Sequence, residues 1–225
     1  LHPLCVFAQE VENVVDTDRR NWSISFNIGG TVGGPAGGIE DAMILADFDK
    51  RSPGFFGPGK KHPFSDPQPS WVIGVNYFFK RPFTIGMLFS NTHIRKTRGY
   101  HSQASYLWVD SSVITIAPIL SVNNEIIRIG MGPALHIAQA WNSRSNAIAS
   151  QRGNYTRFGF IINLGLRVPE DTRFFGEFNI LYRKVGTATI GPFTATGLAD
   201  FTAILPATKV NYNHLFIGLG FGIRM

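Results

Sequence analysis

The fold is decided by residues 215–225, LFIGLGFGIRM. Leu215, Ile217, Leu219, Phe221, Ile223 and Met225 fall on odd positions, with Phe216, Gly218, Gly220, Gly222 and Arg224 between them. Successive side chains of a strand point to opposite faces, so this stretch has one apolar face and one nearly bare face. A soluble strand with one buried face carries Lys, Glu or Thr on the other. Glycine in that place points to the closing strand of a membrane β-barrel.

The same alternation recurs upstream. Trp22, Ile24, Phe26 and Ile28 alternate with Ser23, Ser25, Asn27 and Gly29. Trp71, Ile73, Val75, Tyr77 and Phe79 form the apolar side of a second strand, and Phe83, Ile85, Met87 and Phe89 that of a third. A fourth, over residues 106–120, has an ambiguous register: Tyr106, Trp108, Ile114 and Ile116 suggest one face, Leu107, Val109 and Val113 the other. The fifth sets Ile127, Ile129, Met131, Leu135 and Ile137 against Arg128, Gly130, Gly132, Ala134 and His136. The sixth sets Phe158, Phe160, Ile162, Leu164 and Leu166 against Arg157, Gly159, Ile161, Asn163, Gly165 and Arg167. In the seventh, Phe174, Phe178, Ile180 and Tyr182 oppose Phe175, Glu177, Asn179, Leu181 and Arg183. With residues 215–225 the count is about eight, each long enough to cross a hydrocarbon layer at a tilt.

The connections alternate in length. Turns at Lys80-Arg81-Pro82, Val122-Asn123-Asn124 and Pro169-Glu170-Asp171 are short and rich in turn formers. Those over residues 33–70, 93–103, 140–154 and 186–208 are long. In the first of these, IEDAMILADFDK predicts a short helix with Glu40 and Asp41 complementing its N-terminus. A connection that long is functional or mobile. HIRKTRGYHSQ, in the second, reads as a basic loop.

Composition agrees. Of 225 residues 44% are hydrophobic and only 16% charged, where a soluble domain has about 25% charged. No run approaches the roughly 18 apolar residues of a membrane helix, so a membrane could be crossed only by strands. The net charge of +6 comes from scattered basic residues, which argues against a nucleic-acid partner. Cys5 is the single cysteine, leaving no intramolecular disulfide and no cysteine-based metal site. Residues 1–9 read as the tail of a signal peptide and 10–21 as a polar lead-in, with the barrel domain over 22–225.

A soluble lipocalin-like carrier would also alternate, so the polar face has to discriminate. Here it is Gly, Ser, Asn and Thr with a few charges, which suits a narrow interior rather than a water-exposed surface. The expected interior charge network is Arg128, Arg157, Arg167, Glu177, Arg183 and Arg224, filling and stiffening the barrel rather than lining a pore. Trp22, Trp71, Tyr77, Tyr182 and Trp108 are candidates for interfacial aromatic girdles. Gly54 to Lys60 fits the start of a phosphate-binding loop, but Lys61 stands where Ser or Thr would hold magnesium. Gly218, Gly220 and Gly222 lack the helix that a dinucleotide fingerprint needs, so they read as closely packed wall.

On this pattern of strands, and on no diagnostic motif, the chain resembles the small OmpA/OmpX-type outer-membrane barrels of Gram-negative bacteria from Trp22 onward. It departs from many of them in ending on Met225, with Phe221 the nearest aromatic. The resemblance implies an all-β, eight-stranded antiparallel up-and-down barrel in the outer membrane, contacting lipid and lipopolysaccharide. It also implies no cofactor and no enzymatic activity, and a structural, adhesive or docking role carried by external loops. Residues 33–70 are the place for an envelope-protein partner, and Arg95, Lys96 and Arg98 are candidate contacts for lipopolysaccharide phosphates. Because some barrels of this kind modify lipid A, Ser90, His93, His101, Ser102, His136 and His214 are the residues to check for a nucleophile–base pair.

Overall fold

The structure, a computed structural model, describes residues 21–48, 64–80, 82–101, 105–123, 126–142, 152–168, 173–196 and 202–225. The proposed signal remnant, nearly all of the lead-in and the phosphate-loop-like segment lie outside the described residues.

Eight antiparallel strands close into a ring: β1 (Trp22–Gly33), β3 (Ser70–Lys80), β4 (Phe83–His101), β5 (Ser105–Asn123), β6 (Ile127–Asn142), β7 (Arg152–Val168), β8 (Phe174–Lys184) and β13 (His214–Arg224). Each pairs with its neighbour in the ring, and β1 closes on β13 with Phe26 opposite Phe221 and Asn27 opposite Gly220. The glycine face of β13 is inward. A side chain at Gly220 would collide with the Phe26 carbonyl, and one at Gly222 with the Phe175 ring. Those glycines let the wall and the lumen side chains approach closely.

The opposite faces carry an apolar belt. Ile24, Ile28, Phe83, Ile85, Met131, Phe160, Leu164, Leu219 and Phe221 are all exposed. On β7 the belt runs from Phe158 to Val168. At about 3.4 Å per residue and a tilt of about 40° this is about 25 Å, the height of a lipid-facing band. Trp22 and Tyr77 pack together at its lower edge, 4.8 Å between ring centroids. No described helix is long and apolar enough to cross a membrane; the crossing is made by strands, whose backbone groups the closed ring satisfies.

The two ends differ. At the lower end, described as periplasmic because its turns are short, β3 to β4, β5 to β6 and β7 to β8 are joined directly. The upper end holds the remaining described elements. Gly33 and Gly34, at φ +85° and +89°, turn the chain inward from the top of β1 into α1 (Ala36–Leu45). The helix starts earlier than the sequence suggests, so Glu40 and Asp41 lie in its second turn and its first turn has no acidic residue. Ile39, Ala42 and Met43, spaced i, i+3 and i+4, form its buried side.

Two other expectations for this end are corrected. The basic segment after Phe89 is not a loop: β4 continues through it to His101, pairing with β5 and, from Arg95 to Arg98, with β2 (Phe64–Pro67). Apolar alternation stops there because the strand has left the lipid, not because it has ended. Residues 186–196 and 202–208 are likewise built structure. A bent hairpin of β9 (Thr187–Ile190) on β12 (Thr208–Asn211) and β10 (Phe193–Thr196) on β11 (Thr202–Leu205) lies over the mouth. In β5 the register settles with Leu107, Val109 and Val113 inward and Ile116 and Leu120 outward.

Candidate functional site

The lumen is filled in layers, each set by which residues the strands point inward at that height. Lowest is an ion network. Arg128 Nη2 lies 2.6 Å from Glu177 Oε1, and Arg167 Nε 3.2 Å from the same oxygen. Asn27 Nδ2 donates to Glu177 Oε2 at 3.0 Å, and Arg128 Nη1 to Asn76 Oδ1 at 3.4 Å. Arg167 also stacks over Phe175 at 4.7 Å, and Arg224 over Phe78 at 5.5 Å. Glu177 is thus the shared anion of two buried guanidinium groups. Buried charges are tolerated only when paired and hydrogen-bonded, which is what five strands converge to supply.

Above it is a collar of Val72, Leu88, Ala117, Ile119, Ala134, Ile161, Leu181 and Phe216, all buried. Threaded through the collar is a second polar group. Arg183 is fully buried. Its Nη1 is 3.2 Å from His214 Nε2, its Nη2 donates to Ser90 Oγ at 3.1 Å, and it lies 5.5 Å over the Phe216 ring. His214 Nδ1 is 2.8 Å from the Tyr212 carbonyl, which can only accept. Nδ1 therefore carries the proton and Nε2 is the acceptor for Arg183. His136 Nδ1 pairs with Thr115 Oγ1 at 2.9 Å.

The outer mouth is apolar. Ile94, Leu107, Val109, Val113, Ala138 and Ala140 line the inside of the tall β4–β6 wall. Onto them pack Ile39, Met43 and Phe48 from the helical segment and Ile190, Phe193, Leu205 and Val210 from the bent hairpin. A Cβ at Gly99 would sit 2.8 Å from Met43 Sδ and 2.9 Å from Phe48 Cβ, so glycine there is what admits the helix. Asn213 ties the necks of both lid pieces together. Its carbonyl accepts from Gly34 N at 2.9 Å, and its Oδ1 accepts from Val185 N at 2.9 Å and Gly186 N at 2.7 Å. Asn142 Nδ2 fastens the far side to the Thr194 carbonyl at 3.1 Å. The buried Tyr212 phenol, whose pKa is pushed up by burial, reaches the Gln139 carbonyl at 3.5 Å.

Of the expected interior charges, Arg128, Arg167 and Glu177 meet in one network, Arg224 sits at its lower rim, and Arg183 occupies a separate layer. Arg157 is exposed and donates to the Thr156 carbonyl at 3.2 Å. Its position has inward parity, opposite the buried His136, but β8 pairs with β7 only from Phe160 downward. Arg157 therefore stands above the part of this seam that is closed. Arg98 lies over the Trp108 ring at 5.1 Å. Arg95 and Lys96 are on the same strand. Asn27 and Asn76 join a network in which the sequence suggests only charged residues, and the hairpin of the lid falls where the sequence suggests a loop. The asparagines share the parity of Glu177, and Ala188, Ile190, Phe193, Ala195, Ala203 and Leu205 alternate in the sequence, so both signals were present.

The catalytic candidates are engaged otherwise. Ser90 accepts from Arg183, His93 packs edge-on to Trp141, His136 bonds Thr115, and His214 bonds Arg183 and a carbonyl. His101 packs on Phe48, and Ser102 lies outside the described residues. Among the described residues no group of three His, Cys, Asp or Glu side chains is placed to hold a metal ion.

No protein-family model matches the chain. No curated protein matches it either. Solved structures do. Neisserial surface protein A is 9% identical, with 92% of this chain and 97% of that one covered and a TM-score of 0.47. Ail of Yersinia pestis, in complex with the heparin analogue sucrose octasulfate, is 14% identical, covering 90% and 98%, with a TM-score of 0.45. OprG of Pseudomonas aeruginosa is 11% identical, covering 91% and 97%, with a TM-score of 0.45. The chain's own closed ring of strands, apolar belt and polar lower lumen make it a small eight-stranded barrel of the outer-membrane type. The lipocalin-like alternative, with water outside the barrel, is incompatible with that belt.

Proposed function

We propose that the protein is a non-enzymatic barrel of the Gram-negative outer membrane whose role is structural, adhesive or partner-docking and is exercised at its outer end. The observation that carries this reading is the built lid. Helix and hairpin bury a shared apolar core in the mouth, while Thr189, Ile204, Lys209 and Asn211 on the hairpin face outward. A conducting protein has no use for a mouth filled in this way, and a recognition protein gains a firm platform from it. Together with the Glu177 network and the collar, the lid makes three successive obstructions.

Two parts of that platform have distinct partners. The helical segment, within residues 33–70, is the surface for another envelope protein. The β4 segment with Arg95, Lys96 and Arg98 stands above the belt, level with lipopolysaccharide phosphates, whose oxygens suit guanidinium and ammonium donors.

Planar-bilayer recording of the purified chain tests the sealed reading: no stable, large conductance is expected, and a steady open channel would overturn it. Replacing Arg95, Lys96 and Arg98 together with Gln should weaken lipopolysaccharide binding several-fold, with heat-modifiable migration unchanged; unaltered binding would remove that contact from the reading. A pull-down from gently solubilised membranes, with and without alanine at the exposed Leu45, would test the docking role of the helical segment.

A further inference from the structure

Between the Glu177 network and the apolar collar the lumen holds a cavity of about 10 Å³, close to the smallest that seats one water. Asn27, Asn76, Arg128 and Asn163 line it. All four are at least nine-tenths buried, and each carries one polar atom without a hydrogen-bond partner in the protein: Asn27 Oδ1, Asn76 Nδ2, Arg128 Nε and Asn163 Oδ1.

The orientations of the three amides are set by their other contacts. Asn27 uses Nδ2 on Glu177, Asn163 uses Nδ2 on Asn179, and Asn76 uses Oδ1 on Arg128. The remaining atoms are therefore two donors, Asn76 Nδ2 and Arg128 Nε, and two acceptors, Asn27 Oδ1 and Asn163 Oδ1. A water molecule donates two hydrogen bonds and accepts two. A cation would face the Arg128 guanidinium, and an anion would face two carbonyl oxygens, so neither ion matches the set as water does.

We infer that this cavity is a binding site for a single structural water, which accepts from Asn76 and Arg128 and donates to Asn27 and Asn163. The four residues come from β1, β3, β6 and β7. β1 pairs with β3, and β6 with β7, but neither pair touches the other in the ring. The water is then a bond between opposite walls. It meets the needs of buried polar atoms that would otherwise be left unsatisfied. The inference is independent of what the outer end binds.

Gly74 also lines the cavity, and a Cβ built there lies 3.0 Å from Ser25 Oγ and 3.7 Å from Asn76 Nδ2. The methyl group at Gly74 must push Ser25 Oγ aside, so a loss of stability by itself does not tell a wet cavity from a dry one, and the solvent signal does. If the space is wet, the methyl displaces the water and strands four polar atoms.

The test uses the full chain in detergent micelles or lipid nanodiscs. Wild type should show a water cross-peak of long residence to the Asn27 and Asn76 side-chain amides by NMR. Gly74→Ala should lose that cross-peak and melt lower by about 2–4 °C. Absence of the cross-peak in wild type, or a Gly74→Ala melting temperature at or above wild type, overturns the proposal. Should Gly74→Ala fail to insert, the wild-type cross-peak and its loss in Asn163→Leu decide the matter.

Discussion

The lower and upper halves of the lumen solve one problem with opposite chemistry. Both must fill a narrow interior. The lower half does it with charge: one carboxylate shared between two guanidinium groups, with asparagines from facing strands. The upper half uses hydrocarbon carried in by a helix and a bent hairpin. The difference follows from what each half can recruit. The lower turns are short, so only wall residues are available. Long polar side chains reach across the lumen from the wall, with glycines opposite making room. The upper connections are long enough to fold back, so small and apolar wall residues leave space for a separate apolar piece. The lower plug is consequently part of every strand it joins, whereas the upper one is attached at its necks.

Removing the shared anion should have the largest effect. Glu177→Ala leaves Arg128 and Arg167 buried without a counter-charge, an expected loss of about 3–5 kcal/mol. It should appear as a lower global unfolding midpoint in urea. A midpoint within error of wild type would mean that the lower plug does not tie the barrel together. Phe193→Ala, in the lid core, should cost about 3–4 kcal/mol. Its signature is local, as faster proteolysis within the hairpin at an unchanged barrel midpoint. Loss of the whole barrel would erase the contrast between the halves.

Phe221→Arg places a cation on the lipid face of the closing strand. At a cost of about 2–4 kcal/mol near the bilayer centre, it should reduce membrane insertion, seen as loss of the heat-modifiable form. Normal insertion would mean that the inner and outer faces are reversed. Asn213→Ala should have the smallest effect. It strands the Val185 and Gly186 amides, worth about 1–2 kcal/mol. Hydrogen exchange at residues 185–190 should quicken while β8 and β13 keep their protection. Uniform quickening would make the lid and the barrel a single cooperative unit.

How much of this is legible in the sequence varies with height. In the belt almost all of it is, because lipid demands an apolar residue at every second position. Leu219 and Phe221 face out, and Gly220 and Gly222 face in, as their parity requires. Above the belt the outer face meets water and the inner face meets the apolar lid, so alternation no longer tells lipid from lumen. For that reason the basic residues of β4 read as loop in the sequence, and their pairing from Arg95 to Arg98 with β2 leaves no periodic signal. Arg157 fails differently. Its parity is inward, but whether an inward side chain is enclosed depends on how far the neighbouring strand extends, and β8 stops short of it.

The sequence by itself determined the number of crossing strands, which face of each except β5 meets lipid, and that Glu177 is the acid among several arginines inside. Those follow from residue type and a period of two, and need no knowledge of neighbours. Only the tertiary structure decided which arginines share that acid, that Arg183 is served by His214 and Ser90 instead, and that the mouth is closed by Ile39, Met43, Phe193 and Leu205. Those depend on which side chains lie at the same height on opposite walls, a quantity set by strand register and tilt around the ring. Neighbours across a lumen leave no period in the chain.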